Sequence, residues 1–202
     1  MNSTEAKIRT LLFSPSKENQ NLGWLLDKIQ NKGKLKRIWE AEQASLLRQR
    51  AGWTIEQLLD AKRIVCNDKN ATQMHIKDLP NVNSLSCQKH PQLLSFRISN
   101  CPNLEHLYCC NDDALESLVI ENCPRLTYIS CINNQLNNLQ IEAPELSYLF
   151  AASNQLKQFD VTPFPKLIGL DVTQNPIETL KVSLAQQQNF HPNLAAFTKI
   201  IS

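Results

Sequence analysis

The chain has 202 residues, 42% of them hydrophobic, with 21 basic against 19 acidic side chains and a formal net charge of +2. That length supports a sizeable core in one or two structural units, and the charge is too small to argue by itself for a nucleic-acid or membrane partner. No apolar run approaches the roughly 18 residues that span a bilayer, and no charged, apolar and small-residue tripartite leader opens the chain, so neither a membrane span nor a standard secretory signal is expected.

The first sixty residues read as helical and mildly basic, ten Lys/Arg against seven Asp/Glu, while the remainder is nearly neutral at eleven against twelve. Glu5 to Phe13 sets Ile8, Leu11 and Leu12 on one face of a short helix. Ser14-Pro15 interrupts it, and Ser16 with Asn19 supplies a capping pattern. Leu22, Leu25, Leu26 and Ile29 give the i, i+3, i+4, i+7 stripe of a second helix, ended near Gly33. Lys34 to Ala51 continues as a third, with Leu35, Ile38, Trp39, Leu46 and Leu47 on or near one side. Thr54 and Gln57 form a capping box for a fourth, Ile55 to Leu59.

Beyond residue 60 the pattern becomes a repeat. Pro-x-Leu-x-x-Leu-x-Cys occurs at Pro102, Leu104, Leu107, Cys109 and again at Pro124, Leu126, Ile129, Cys131. The frame continues with Pro144, Leu146, Leu149, Ala151 and with Pro165, Leu167, Leu170, Val172. A second apolar triplet closes each copy, as in Leu115, Leu118, Ile120 and in Leu136, Leu139, Ile141. Upstream, Pro80, Val82, Leu85, Cys87 begins one copy, and Ala61, Ile64, Cys66, Ala71, Met74, Ile76 form a degraded first one. Pro192, Leu194 and Phe197 read as a truncated last copy.

A period of about 20–29 residues built on L-x-x-L-x-L marks a leucine-rich repeat. The chain resembles bacterial leucine-rich repeat proteins of the short-repeat type, written LxxLxCxxNxLxxLxI, over roughly residues 61–182. The family's asparagine after the strand stands here as Asn134, Asn154 and Asn175; His90 and Asp112 take its place earlier, each with one extra residue, so their loops are expected to be less regular. The resemblance implies an α/β fold, a solenoid of about six repeats with a curved parallel sheet in a right-handed coil. It also implies a binding role, with host interaction as a family-level possibility only. A bare first coil exposes its core and an unpaired strand edge. Residues 1–60 are therefore expected to be a helical cap, and residues 61–202 the repeats with a C-terminal cap. The alternative reading gives the basic N-terminal region an enzyme-accessory or other activity of its own.

Alternation along a strand points leucine and cysteine inward and their neighbours outward. Three outward columns follow: Arg63, Ser84, His106, Tyr128, Tyr148, Gly169; then Val65, Ser86, Tyr108, Ser130, Phe150, Asp171; then Asn67, Gln88, Cys110, Ile132, Ala152, Thr173. His106, Tyr108, Tyr128, Ile132, Tyr148 and Phe150 thus gather into one patch, expected to bind a protein partner on the concave face. The outward residues of the other triplet are mostly polar and read as a solvated second face.

Catalysis finds little support. His106 and Cys110 lie four apart on one strand, hence about 13 Å apart, where a nucleophile and its base need hydrogen-bond contact. Asp112-Asp113 reads as a solvated pair in an irregular loop, and Lys32, Lys34, Lys36 and Arg37 as a solvated basic cluster. No metal, cofactor or nucleic acid is expected, and a monomer in the cytoplasm, or translocated into a host cytosol, is the resulting picture. The seven cysteines mostly follow the repeat: Cys66, Cys87, Cys109 and Cys131 take the inward position, and Cys101 with Cys123 a corner. Free thiols suit a reducing compartment. Thiol titration of the unfolded, unreduced chain is expected to count seven; recovery of an intramolecular bridge overturns that.

Overall fold

The computed structural model describes residues 3–42, 55–188 and 200–201. Three helices open it, α1 (Ser3–Leu12), α2 (Lys17–Gln30) and α3 (Lys34–Glu42), and a short α4 (Ile55–Asp60) precedes the first strand. Ser16 caps α2, its hydroxyl accepting from the Asn19 amide at 3.4 Å. Leu46, Leu47, Thr54, Pro192, Leu194 and Phe197 lie outside the described residues.

The repeats form two walls of parallel strands. One wall is a six-stranded sheet: β1 (Arg63–Cys66), β3 (Ser84–Cys87), β5 (His106–Tyr108), β7 (Tyr128–Ser130), β9 (Tyr148–Phe150) and β11 (Gly169–Asp171), in that order. The opposite wall divides into β2 (Gln73–Lys77), β4 (Ser95–Ser99), β6 (Ser117–Glu121) and β8 (Asn138–Ile141), then β10 (Gln158–Asp160), β12 (Thr179–Lys181) and β13 (Ile200–Ile201). Each coil gives one strand to each wall, and the register repeats position for position, with Leu85 beside Leu107, Leu107 beside Ile129, and Ile129 beside Leu149. This is a leucine-rich repeat solenoid with an N-terminal helical cap.

Its core is the space between the walls. Ile64, Leu85, Leu107, Ile129 and Leu149 line it from the first wall beside Cys66, Cys87, Cys109 and Cys131, and Met74, Phe96 and Leu118 meet them from the second, all buried. Thiols fit this column because it is crowded; they behave there as small apolar side chains. The Cys87 and Cys109 thiols are pushed well above their ordinary range, first by hydrogen bonds with Cys66 and Cys131 and then by burial, so they stay protonated.

The turn off each first-wall strand is where buried peptide groups must find partners. Asn134 donates its side-chain amide to the carbonyls of Cys109 and Cys131 at 2.8 and 3.0 Å, while its oxygen accepts from the Asp112 amide at 2.8 Å. Asn154 and Asn175 repeat the arrangement, accepting from the Leu136 and Leu156 amides at 3.0 Å each. Asp112 accepts from the His90 amide at 2.6 Å and so extends the same ladder one coil back. This corrects the sequence reading of Asp112: it is fully buried rather than solvated, and only Asp113 faces water. The extra residue is absorbed without breaking the ladder.

Each ladder residue follows a left-handed corner, at Lys89, Asn111, Asn133, Ser153 and Gln174, with φ between 54° and 60°. A second set of corners, Asp78, Asn100 and Asn122, precedes the repeat prolines at φ of 50° to 56°. Asparagine tolerates this conformation because its short side chain can bond locally, and here the corners also bond to each other, Asn122 to Asn100 and Asn100 to Asp78 at 2.8 and 2.9 Å.

The cap closes the first coil. Trp39 is fully buried and, with Leu58 and Leu59, joins the solenoid core, while Ile8, Leu12 and Leu35 make a smaller cluster of their own. Asn81 donates to the Leu59 carbonyl at 3.1 Å, tying α4 to the second coil. Helix α2 is oriented against its apolar pattern. Gln20, Gly23 and Asp27 face inward, whereas Leu22, Leu25 and Ile29 are 46%, 52% and 67% exposed. The reason is packing and capping. A Cβ on Gly23 would lie 2.8 Å from the Leu12 amide nitrogen, so only glycine lets α1 approach. Asp27 accepts from the Leu35 and Lys36 amides at 3.1 and 3.0 Å and thereby caps α3. At the other end, Gln186 is buried and donates to the Val161 and Phe164 carbonyls at 2.7 and 3.0 Å.

Asp112 is the irregular rung. Asn134 donates from its Nδ2, but the corresponding Oδ2 of Asp112 is buried with no hydrogen-bond partner. Asp112→Asn supplies the missing donor while keeping the oxygen that serves His90. Because an unsatisfied buried group costs about 1–3 kcal/mol, the variant is expected to be more stable by about 1 kcal/mol in urea unfolding. Equal or lower stability shows that the carboxyl is already satisfied.

Candidate functional site

The geometry of the six-stranded wall sets its outer face. Register pairs His106 with Tyr128 and Tyr128 with Tyr148 in one column, and Tyr108 with Ser130 and Ser130 with Phe150 in the next. Short strands at this position suit β-branched and aromatic side chains, and the inward leucines fix which residues point out. The first two predicted columns therefore coincide with the register observed from β1 to β11, while the third lies past the strand ends.

Tyr128 is the hub. Its ring centre lies 5.3 Å from Tyr108, 5.6 Å from Phe150, 6.1 Å from His106 and 6.3 Å from Tyr148, all tilted contacts. Tyr148 stacks on Phe150 at 6.4 Å with 16° between planes. Such spacings fall in the favourable range for aromatic pairs. The outer face is not evenly exposed: Ser130 of the middle column and Ala152 of the third, both read from sequence as outward, are only 7% and 8% exposed. Tyr148 remains 41% exposed, and Ile132 lies half-buried just past β7. Burial, followed by the neighbouring Tyr108, raises the Tyr128 phenol above its ordinary value, so its hydroxyl is a neutral donor and acceptor at physiological pH.

Gly169 is a participant the sequence columns name but do not explain. A Cβ there would lie 2.5 Å from Cδ1 of Tyr148, so the ring rests over the glycine. Four glycines occur in the whole chain and Gly169 alone falls within the repeats, which was the signal available in sequence.

Two constellations invite a catalytic reading and fail it on geometry. Cys110 meets the hydroxyl and carbonyl of Ser130 at 3.1 and 3.3 Å, sulfur against oxygen. Cys87, His90 and Asp112 converge, but the carboxyl at 3.3 Å and the thiol at 3.6 Å both approach Nδ1, and the thiol is farther from Nε2, at 4.0 Å. A triad needs the acid and the nucleophile on opposite ring nitrogens, and all three side chains are fully buried, closed to any substrate. Among the described residues no group of three or more His, Cys, Asp or Glu is placed to hold a metal, and no helix is long and apolar enough to cross a membrane.

A second concavity, about 490 Å³, opens where β8 and β10 part, floored by Leu139, Ile141, Phe159 and Phe164. On its rim Lys181 pairs with Asp160 at 3.0 Å. It offers an apolar cleft without a convergent reactive group.

Gly169→Ala tests the support beneath Tyr148. The backbone there accepts alanine, so the melting temperature is expected to hold while the Tyr148 and Phe150 ring resonances shift in NMR spectra. Unmoved rings show that the ring does not lie on the glycine.

No protein-family model and no curated protein sequence matches the chain. Among solved structures it is similar to the crystal structure of Listeria monocytogenes InlP, at 14% sequence identity and a TM-score of 0.29, covering 69% of this chain. The chain spans 62% of the length of that protein's chain.

Proposed function

We propose that the chain is a non-catalytic interaction module that binds a protein partner through the outer face of its six-stranded wall, at His106, Tyr108, Tyr128, Ile132, Tyr148 and Phe150. The observation that carries this is the mutual packing of the rings around Tyr128 on a face that, among the described residues, no helix of the repeats covers. Aromatic side chains with polar tips supply disproportionate interface energy, because they bury large area with few rotors. The face also has little charge of its own between Arg63 at β1 and Asp171 at β11, which suits a partner surface with a neutral, apolar centre.

In this reading residues 1–60 cap the solenoid and residues 61–202 carry the binding wall with its own C-terminal closure. The short repeat period extends the proposal to a bacterial source and, at family level, to a partner in a host cell reached by translocation.

The test begins by capturing the partner with the intact chain. Tyr128→Ala with Tyr148→Ala is then expected to weaken that complex by about 2 kcal/mol or more, as hot-spot truncations do, with the inward leucines keeping the fold. Affinity and melting are read on the same protein. Unchanged affinity places the site elsewhere.

A further inference from the structure

The turned-out face of α2 carries an inference separate from the aromatic wall. Glu18, Leu22, Leu25 and Ile29 follow one another on the helix at steps of four, three and four, and Lys32 comes three residues further on, past the Asn31 cap and in left-handed backbone at φ 52°. That is the 3.5-residue spacing of a helix-pairing seam. The three apolar residues at its centre are exposed by 46%, 52% and 67%. Opposite charges stand at its two ends, Glu18 in the first turn and Lys32 just past the last. Neither is in an ion pair among the described residues, whereas Lys17 and Lys34 pair with Asp60 and Glu5. The inward side is committed elsewhere, since Gly23 admits Leu12 and Asp27 caps α3.

We infer that α2 is the seam of a two-fold symmetric homodimer, pairing antiparallel with α2 of a second copy of this chain. An antiparallel pair centred on Leu25 sets Glu18 of one copy opposite Lys32 of the other, twice by symmetry, with Leu22, Leu25 and Ile29 between them. A parallel pair would put like charges side by side at both ends. A two-fold interface demands a surface complementary to itself, and an apolar stripe ending in opposite charges has that property. A membrane fits less well. Glu18 lies on the stripe itself, where burial in lipid costs several kcal/mol and anionic headgroups repel it. The dimer departs from the monomer that the sequence suggests, because the pattern of α2 gives no sign that its apolar side faces out.

Sedimentation of the full chain from micromolar to hundreds of micromolar is expected to show a monomer–dimer equilibrium. Leu25→Asp should raise the dissociation constant at least tenfold with an unchanged melting temperature, the residue being exposed. Glu18→Lys should weaken the dimer, and Glu18→Lys combined with Lys32→Glu should restore it, which general loss of stability cannot do. A parent that stays monomeric overturns the proposal, and so does a dimer indifferent to Leu25→Asp or a charge swap without rescue. Co-sedimentation of a monomeric parent with phosphatidylserine-containing vesicles, lost in Leu25→Asp, would assign the stripe to a membrane instead and equally overturn it.

Discussion

The coil depends on how its backbone leaves the first wall. A strand that turns sharply at the edge of a dry core strands peptide carbonyls and amides away from water, and each one left unpaired costs more than most side-chain contacts return. Asn134, Asn154 and Asn175 solve this with a side chain that both donates and accepts, serving two coils at once. The periodic leucines can stack in register only because this rung fixes where one strand stops and the next segment starts. His90 and Asp112 hold the same place with other chemistry, and the ladder passes through them at the cost of one unmatched oxygen.

From that constraint the face follows. With the turn anchored and Leu107, Ile129 and Leu149 held inward, the residues flanking them have one direction left. The rings then pack on one another because adjacent parallel strands lie about 4.8 Å apart, less than the width an isolated ring would occupy freely. Tyr128 touches four neighbours as a result, and Ser130 in the next column is barely exposed.

Much of this was legible in sequence because a solenoid translates period directly into position. The columns containing His106 and Tyr108 needed only the repeat and the alternation of a strand. The failures lie where one residue answers to a contact outside its own repeat. Asp112 looked solvated because a carboxylate beside Asp113 usually is; burial comes from its rung, which only the neighbouring Asn134 and His90 reveal. The apolar stripe of α2 looked inward because amphipathic helices usually bury it, yet the closeness of α1 at Gly23 and the capping of α3 by Asp27 turn it outward. The low exposure of Ser130 is likewise invisible to alternation, which gives direction and says nothing of exposure.

The left-handed corners bear on the unfolded chain as much as on the folded one. Glycine is the usual occupant of such a conformation, and each glycine brings extra conformational freedom that folding must remove, roughly 0.5–1 kcal/mol relative to alanine. In the repeats these corners are Asp, Lys, Asn, Ser and Gln. A chain so composed trades some local strain in the native state for a narrower denatured ensemble. Where the corner is asparagine, part of the strain is offset by the bond it makes to the next coil. The scarcity of glycine, four in 202 residues, is in this sense a statement about the random coil: the protein begins folding with less entropy to lose.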